Sequence, residues 1–211
     1  RTIAQTVSQK GFVEFKGIGY PQTAAGDDTQ AVGELSLRYE ATAKPTPWFR
    51  LSGSIDARAD THDQISWEGL DWSGRTIKRP SLGVRRFDAT LGRGPLTLQV
   101  GKQFIRWGKA DILNPTDRFA PRDFLSVFDT DMLAGTAGRF TAGLQSDTLD
   151  VVASRFSPSR VPLIGQRWAP MEALPAGVVV VDRGATYPDR AQLGARWNHV
   201  GGGYEFSLSG F

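Results

Sequence analysis

The residues of this chain that could act chemically are charged side chains spaced two positions apart. In the segment WFRLSGSIDARAD (48–60), one register carries Arg50, Asp56 and Arg58, and the other carries no charge. Guanidinium and carboxylate groups at this spacing can pair across neighbouring segments and attract polar or anionic molecules. The candidate residues of this kind are Arg38, Glu40, Arg50, Asp56, Arg58, Arg86, Asp88, Lys102, Arg106, Arg139 and Arg196.

Catalysis and metal binding find little support in the same sequence. His62 and His199 are too few for a histidine-rich metal site, and the absence of cysteine excludes disulfides and thiolate ligands. No Gly-x-Ser-x-Gly segment is present to place a nucleophilic serine. Asp129 and Asp131 could bind Ca²⁺, although solvated loop acids are the simpler interpretation. We therefore expect no catalytic residue, no metal and no cofactor.

The charged positions belong to segments whose side chains alternate with period two. In GELSLRYEATAK, Leu35 and Leu37 share one face, and Arg38 and Glu40 share the other. This pattern predicts a strand with unlike faces, whereas a helix would place Leu35 and Leu37 about 200° apart. Nine segments are of this type: FVEFKGIGY, GELSLRYEATAK, WFRLSGSIDARAD, RFDATLGRG, PLTLQV, RFTAGLQ, TLDVVAS, AQLGARWN and YEFSLS. In the first of them the alternation breaks near Gly17, where we expect a β-bulge.

The connections between these segments are alternately short and long. The short ones, 44–47, 92–95, 145–148 and 199–202, contain Gly, Pro, Ser or Asp, which favour turns. The longer ones cover 21–31, 61–81, 109–135 and 157–188. Short turns at one end and long loops at the other are typical of a transmembrane β-barrel, whose strands need about 9–11 residues to cross the bilayer.

The sequence therefore predicts an all-β protein, an antiparallel up-and-down transmembrane β-barrel. The apolar face would meet lipid, where a charge at mid-depth costs about 2–4 kcal/mol, and the charged face would line an aqueous lumen. Phe49 and Trp197 lie beside short turns and Trp107 at the opposite end, where aromatic girdles are expected. A soluble β-sandwich is the alternative, but its apolar face would point inward and consist of larger residues than this one, which contains many Ala and Gly.

Composition limits the remaining classes. The chain has 211 residues and a formal net charge of +3, and its Lys and Arg are mixed with acids, so no nucleic-acid partner is expected. Bacterial single-chain barrels have an even number of strands, and nine is odd. The alternate positions before Phe211 are the polar Ser209, Ser207 and Glu205. We expect residues 1–211 to form a single β-barrel domain, the N-terminal portion of a longer barrel that is incomplete at its C-terminal end.

The segment VGKQFIRWGKADILNPTDRFAPRDF (100–124) is the most distinctive in the chain. A strand ending in Gly-Lys-Gln, then a Trp-Gly pair and an Asn-Pro loop, resembles porin-like outer-membrane barrels of Gram-negative bacteria, including alginate-export-like and related families. The resemblance covers about 25 residues. It implies a location in the outer membrane. The implied partners are the lipid bilayer, lipopolysaccharide and small polar solutes, with oligomers possible.

The same segment predicts how its strand continues into a loop. Strict alternation would place Lys102 on the same lipid-facing side as Val100, so we expect a bulge at Gly101. The bulge would turn Lys102 and Arg106 inward, and Ile105 and Trp107 outward. The loop of about 109–135 is rich in aromatic residues and could fold inward and narrow a pore, or cap its own rim. The charged residues of this candidate constriction loop are Asp111, Asp117, Arg118, Arg122 and Asp123.

These features predict a porin-like channel for passive passage of small polar or anionic solutes through a charge-lined lumen. One alternative is a barrel closed by its loops that acts as a receptor or export-complex component. A further alternative is a soluble β-sandwich binding module.

Overall fold

The computed structural model describes residues 6–108, 117–126, 128, 130–170, 178, 181 and 185–211. In this part of the chain the regular secondary structure consists of strands, and no helix is long and apolar enough to cross a membrane. The strands are β1 (Thr6–Gly19), β2 (Ala31–Thr46), β3 (Phe49–Asp60), β4 (Ile65–Asp71), β5 (Arg79–Arg93), β6 (Leu96–Gln103), β7 (Gly135–Leu144), β8 (Asp147–Arg155), β9 (Ala191–Gly201) and β10 (Tyr204–Gly210).

All ten strands belong to one sheet in which strands that follow each other in the chain lie side by side. The order is β1-β2-β3-β5-β6-β7-β8-β9-β10, and each pair along this path is antiparallel. The predicted all-β, antiparallel, up-and-down arrangement of the nine segments is confirmed. Among the described residues, β1 and β10 form the two edges of the sheet and do not pair with each other.

The tenth strand, β4, lies in the connection that the sequence presents as an irregular loop. It pairs in parallel with β5, through Ile65 opposite Arg79 and Leu70 opposite Leu82. The expectation of nine strands is therefore wrong by one. The sequence ISWEGLD alternates over only its first four residues, and the register shifts between Ser66 and Leu70, so periodicity is a weak signal of this strand. β4 occupies the part of β5 that precedes its pairing with β6.

The four predicted short turns are confirmed, because β2–β3, β5–β6, β7–β8 and β9–β10 are each joined by two residues. In the last of them, Gly202 and Gly203 both have positive φ, 62° and 82°. Two successive positive φ angles are required by the tight hairpin turns whose twist matches that of the strands. The long connections lie at the opposite ends of the strands, at 20–30, 61–78, 104–134 and 156–190.

The two faces of the sheet differ in exposure. The apolar face lies open to the surroundings: Leu35 is 48% exposed, Ile55 41% and Val151 41%. The polar face is buried along the middle strands β3, β5 and β8, where Ser52 is 5% exposed, Asp88 1% and Asp150 7%. The sheet is thus reversed relative to a soluble sandwich, in which the apolar face would be the buried one.

One register shift brings an additional charge to the polar face. Ser54 pairs with Arg86 and Ile55 with Val84, so Arg85 is an extra residue on β5. Such a bulge redirects a side chain without breaking the strand. The bulge expected at Gly17 is absent, because β1 pairs with β2 in continuous register across Gly17 and Gly33.

The expected outward direction of Ile105 and Trp107 is wrong. β6 keeps a continuous register with β5 and β7 through Gly101, whose φ is 127°, and it ends at Gln103. The chain then leaves the sheet, and strand parity no longer applies to the residues that follow. Ile105 and Trp107 are 2% and 3% exposed, so Trp107 belongs to no exposed girdle.

The largest buried apolar cluster lies on the polar face of the sheet and not between two sheets. It consists of Ile105, Trp107, Phe119, Ala137 and Val152. The residues from the 104–134 loop meet small or apolar residues of β7, β8 and β9. At Gly194 of β9 a Cβ would come within 2.7 Å of the Phe119 ring, so only glycine allows this contact. Ile105, Trp107 and Phe119 of this loop therefore pack onto the polar face of this part of the sheet.

Candidate functional site

The candidate site is the charged inner face, where residues of β2, β3 and β5 meet the 104–134 loop. Arg38 Nε and Nη2 donate to Asp56 at 2.7 and 2.9 Å across the β2–β3 ladder. Arg58 Nη2 donates to the same carboxylate at 3.2 Å. This cross-strand pairing of Arg38 with Asp56 is the kind of contact that opposite charges on one face favour.

Asp131 of the loop joins this network from the opposite side. Its carboxylate accepts from Arg38 Nη2 at 2.9 Å and from Arg85 Nη2 at 2.8 Å, and Arg58 Nη2 lies 3.8 Å away. Burial raises the pKa of Asp131, but Arg85 and Arg38 outweigh that effect and lower it, so the carboxylate stays ionised at neutral pH. One loop carboxylate is thus held by three guanidinium groups of the strands.

Arg85 is a site residue that sequence reasoning missed. Besides Asp131, its guanidinium lies 4.6 Å from the ring centroid of Phe104. Strict alternation places Arg86 inward and would place Arg85 on the apolar face. Two adjacent arginines in a strand that borders an apolar face are a signal of a bulge, and that signal could have identified Arg85.

A second network connects two long loops with the start of β5. Arg79 Nε donates to Asp123 at 2.9 Å, and Arg160 Nη1 donates to the same carboxylate at 3.2 Å. Arg160 also donates to the carbonyl oxygen of Thr76 at 3.1 Å. All three charged groups are buried. Arg79 and Arg160 were not predicted, because both lie in stretches that the sequence presents as loops and that carry no periodic signal.

The two networks border one cavity of about 60 Å³, which we call the polar cavity. Its charged lining consists of five cations and four acids, an excess of one positive charge at neutral pH: Arg58, Arg79, Arg85, Lys102, Arg160, Asp56, Asp71, Asp123 and Asp131. Lys102 is 4% exposed and donates from Nζ to the carbonyl oxygen of Trp72 at 2.8 Å.

Other predicted wall residues form local ion pairs along the inner face. Asp88 accepts from Arg86 and from Gln99, the latter at 2.8 Å. Arg139 Nη2 donates to Asp150 at 2.6 Å. These pairs offset charge within the wall and leave little net field around them.

The remaining wall candidates lie apart from the polar cavity. Glu40 pairs with Lys10 at 3.0 Å, and Arg50 is exposed opposite Thr90. Arg106 is exposed beyond the end of β6. Arg196 donates to the carbonyl oxygen of Trp107.

The predicted loop residues have separate roles. Asp117 accepts from the backbone N–H groups of Trp107 and Gly108 at 2.7 and 2.6 Å, which fixes the fold of the loop. Arg118 lies 5.9 Å from the Phe211 ring centroid.

Of the other loop candidates, Asp123 reaches the polar cavity, whereas Arg122 forms a backbone bridge with Met132. Asp111 and Asp129 lie outside the described residues. Within the described ranges, no group of three or more His, Asp or Glu side chains is placed to hold a metal ion.

A third contact connects three of the long loops, 20–30, 61–78 and 156–190. Asp27 Oδ2 lies 2.8 Å from His62 Nε2 and accepts from the backbone N–H of Arg167 at 2.9 Å. Burial raises the pKa of Asp27, but hydrogen bonds from Thr29 and His62 outweigh it and lower the pKa to about 2.

This lowered pKa predicts acid sensitivity of the loop assembly. The stabilisation by Asp27 is complete above its unfolded value of 3.8 and is lost as the pH falls through about 2. We expect proteolysis of the 156–190 connection by pepsin to accelerate over this window. In Asp27→Asn the rate at pH 5 should already be raised and should change less on acidification. An unchanged rate in the variant at pH 5 would contradict the role of Asp27.

Comparison with protein-family models, with curated proteins and with solved structures finds no match to this chain.

Proposed function

We propose that this chain is part of a porin-like β-barrel of a Gram-negative outer membrane that passes small polar or anionic solutes passively. The observation that carries the proposal is the reversal of the sheet: its apolar face is exposed, whereas the 104–134 loop contacts charged residues of β2, β3 and β5 on the other face. Water disfavours such a surface, whereas acyl chains favour it.

Most strands are long enough to cross a bilayer, whereas β6 and β10 have 8 and 7 residues. β1, β2, β3 and β5 have 14, 16, 12 and 15 residues, and a tilted crossing needs about 9–11. In hydrocarbon, unpaired backbone groups along β1 and β10 would each cost several kcal/mol, so the proposal requires both edges to be paired in the membrane.

Selectivity in the proposed channel comes from the inner face and the loop above it. The ion pairs of Asp131 bring the 104–134 loop against Arg38, Arg58 and Arg85, which would narrow the lumen. Charges of both signs at a constriction discriminate solutes by size and charge. No catalytic step is involved in this mechanism. The resemblance of residues 100–124 to porin-like barrels agrees with the proposal.

Planar-bilayer recording on the folded full chain tests this function. We expect stepwise conductance after insertion, with a reversal potential in a salt gradient that shows a preference for anions. In detergent gels run without heating, the folded barrel should migrate differently from the heated, unfolded chain. This mobility shift on heating would show that the recorded protein is the folded barrel. Absence of any conductance from protein shown to be inserted would overturn the channel proposal.

A loop-closed barrel acting as a receptor or export-complex component is the second candidate. The observation that favours it is the cluster of Ile105, Trp107 and Phe119 packed against Val152 on the inner face. Such packing would fill part of a lumen. This candidate predicts membrane insertion without conductance, so the same recording distinguishes it from an open channel.

A further inference from the structure

Lys102 is a buried cation for which no described carboxylate lies within ion-pair distance, and Asp71 and Asp56 attract it from farther away. Its residue is 4% exposed, and its one described hydrogen bond is donated to an uncharged acceptor, the carbonyl oxygen of Trp72. An ammonium carries three N–H donors. Buried charges are normally paired, because removing an ion from water without a partner is costly.

The acid nearest in sequence to that carbonyl is engaged elsewhere. Asp71 accepts from the backbone N–H groups of Ser73 at 2.8 Å and Gly74 at 3.0 Å, and from the Ser73 hydroxyl at 2.8 Å. These bonds make Asp71 the organiser of the 71–74 turn. The turn packs tightly on the ammonium, since a Cβ at Gly74 would lie 3.1 Å from Lys102 Nζ.

The other acids of the polar cavity are also held by arginines. Asp123 bonds Arg79 and Arg160, and Asp131 bonds Arg85 within 3.0 Å. The cavity thus has one more cation than acids, about 60 Å³ of space, and an ammonium on its wall that makes one hydrogen bond among the described residues.

We propose that the polar cavity binds a small oxyanion, a carboxylate or a phosphate, with Lys102 as the group that anchors its charge. The inference rests on the proposed function, because it names the class of solute that the interior would retain. Arg58 and Arg85 line the same cavity and add positive charge around the site, while they keep their bonds to Asp56 and Asp131. Neutral solutes of the same size would leave the ammonium unpaired and would bind less well.

The test is a titration of the folded full chain in detergent micelles with inorganic phosphate and, separately, with sodium acetate at constant ionic strength. Calorimetry should show saturable binding of one of these probes to the unaltered protein, and the preferred probe tells which oxyanion is recognised. In Lys102→Gln we expect affinity to fall at least tenfold, whereas Lys102→Arg should retain part of it. Lys10→Gln is the matched control, because Lys10 is an exposed cation that pairs with Glu40 outside the cavity.

A measurement on the unaltered protein keeps the inference testable if Lys102→Gln does not fold. Bound phosphate or acetate should slow amide hydrogen exchange at Ser73 and Gly74, beside the ammonium. Absence of saturable binding of both probes, or equal binding by Lys102→Gln, overturns the inference. Because binding is measured in micelles, a failure of conductance would overturn the channel alone, and a failure of binding would overturn the anion site alone.

Discussion

In the proposed barrel, Leu37→Arg is expected to make folding into lipid bilayers less favourable by about 2–4 kcal/mol, the cost of a cation at mid-depth on a lipid-facing strand. Leu37 lies in the middle of β2, between Val13 of β1 and Ala57 of β3, and is 42% exposed on the apolar face. The measurement is urea-dependent folding of the full chain into liposomes, followed by tryptophan fluorescence.

The control is the same substitution one residue earlier. Ser36 belongs to the polar face. Arg58 is the residue opposite it on β3, and the Ser36 hydroxyl lies 3.5 Å from a Glu14 oxygen. Ser36→Arg would place a guanidinium beside that carboxylate, and we expect less than about 1 kcal/mol of change. Equal losses for the two variants would mean that the apolar face does not meet lipid.

Asp131→Asn is expected to detach the 104–134 loop from the wall and to raise single-channel conductance. The variant removes the charge that holds Arg38 and Arg85 together and leaves these guanidinium groups facing each other. Loss of charged hydrogen bonds at this half-buried position should lower the free energy of unfolding by about 1.5–3 kcal/mol. Recording in a salt gradient should also show a stronger preference for anions, since the interior becomes more positive.

Asp63→Asn is the matched control for Asp131→Asn. Asp63 is an outer-loop acid whose side chain is 83% exposed and pairs with Lys78. Conductance and anion preference should stay at their unaltered values in this variant. If Asp131→Asn also left both quantities unchanged, the loop would not control the passage.

The sequence predicts the strands well, because period two is imposed by backbone geometry and by the contrast between the two faces. It predicts neither β4 nor the bulge at Arg85, since both depend on how loops and ladders pack. Ile105 and Trp107 were misassigned for a related reason: parity holds while the chain stays in the ladder, and β6 ends at Gln103.

The candidate site follows the same division. Asp56 and Arg38 are adjacent by register, so their pairing follows from alternation and hairpin geometry. No periodicity describes the loops that bring Asp131 and Arg160 to the polar cavity. The same holds for the connection that precedes Arg79, the first residue of β5. Alternation makes Ser52 one more polar wall position and does not predict that it is 5% exposed.

The exposure of the apolar face has a consequence for how this protein would respond to mutation in a membrane. Shortening a side chain inside a water-soluble core leaves a void that the rigid surroundings fill only partly. Around Phe15 or Leu35, fluid hydrocarbon would flow into the vacated volume. In the proposed membrane setting, shortening a side chain on this surface should therefore cost only the transfer free energy of the lost carbon atoms, with little added cost for a cavity. The amino-acid composition of this surface could then vary widely as long as it stays uncharged.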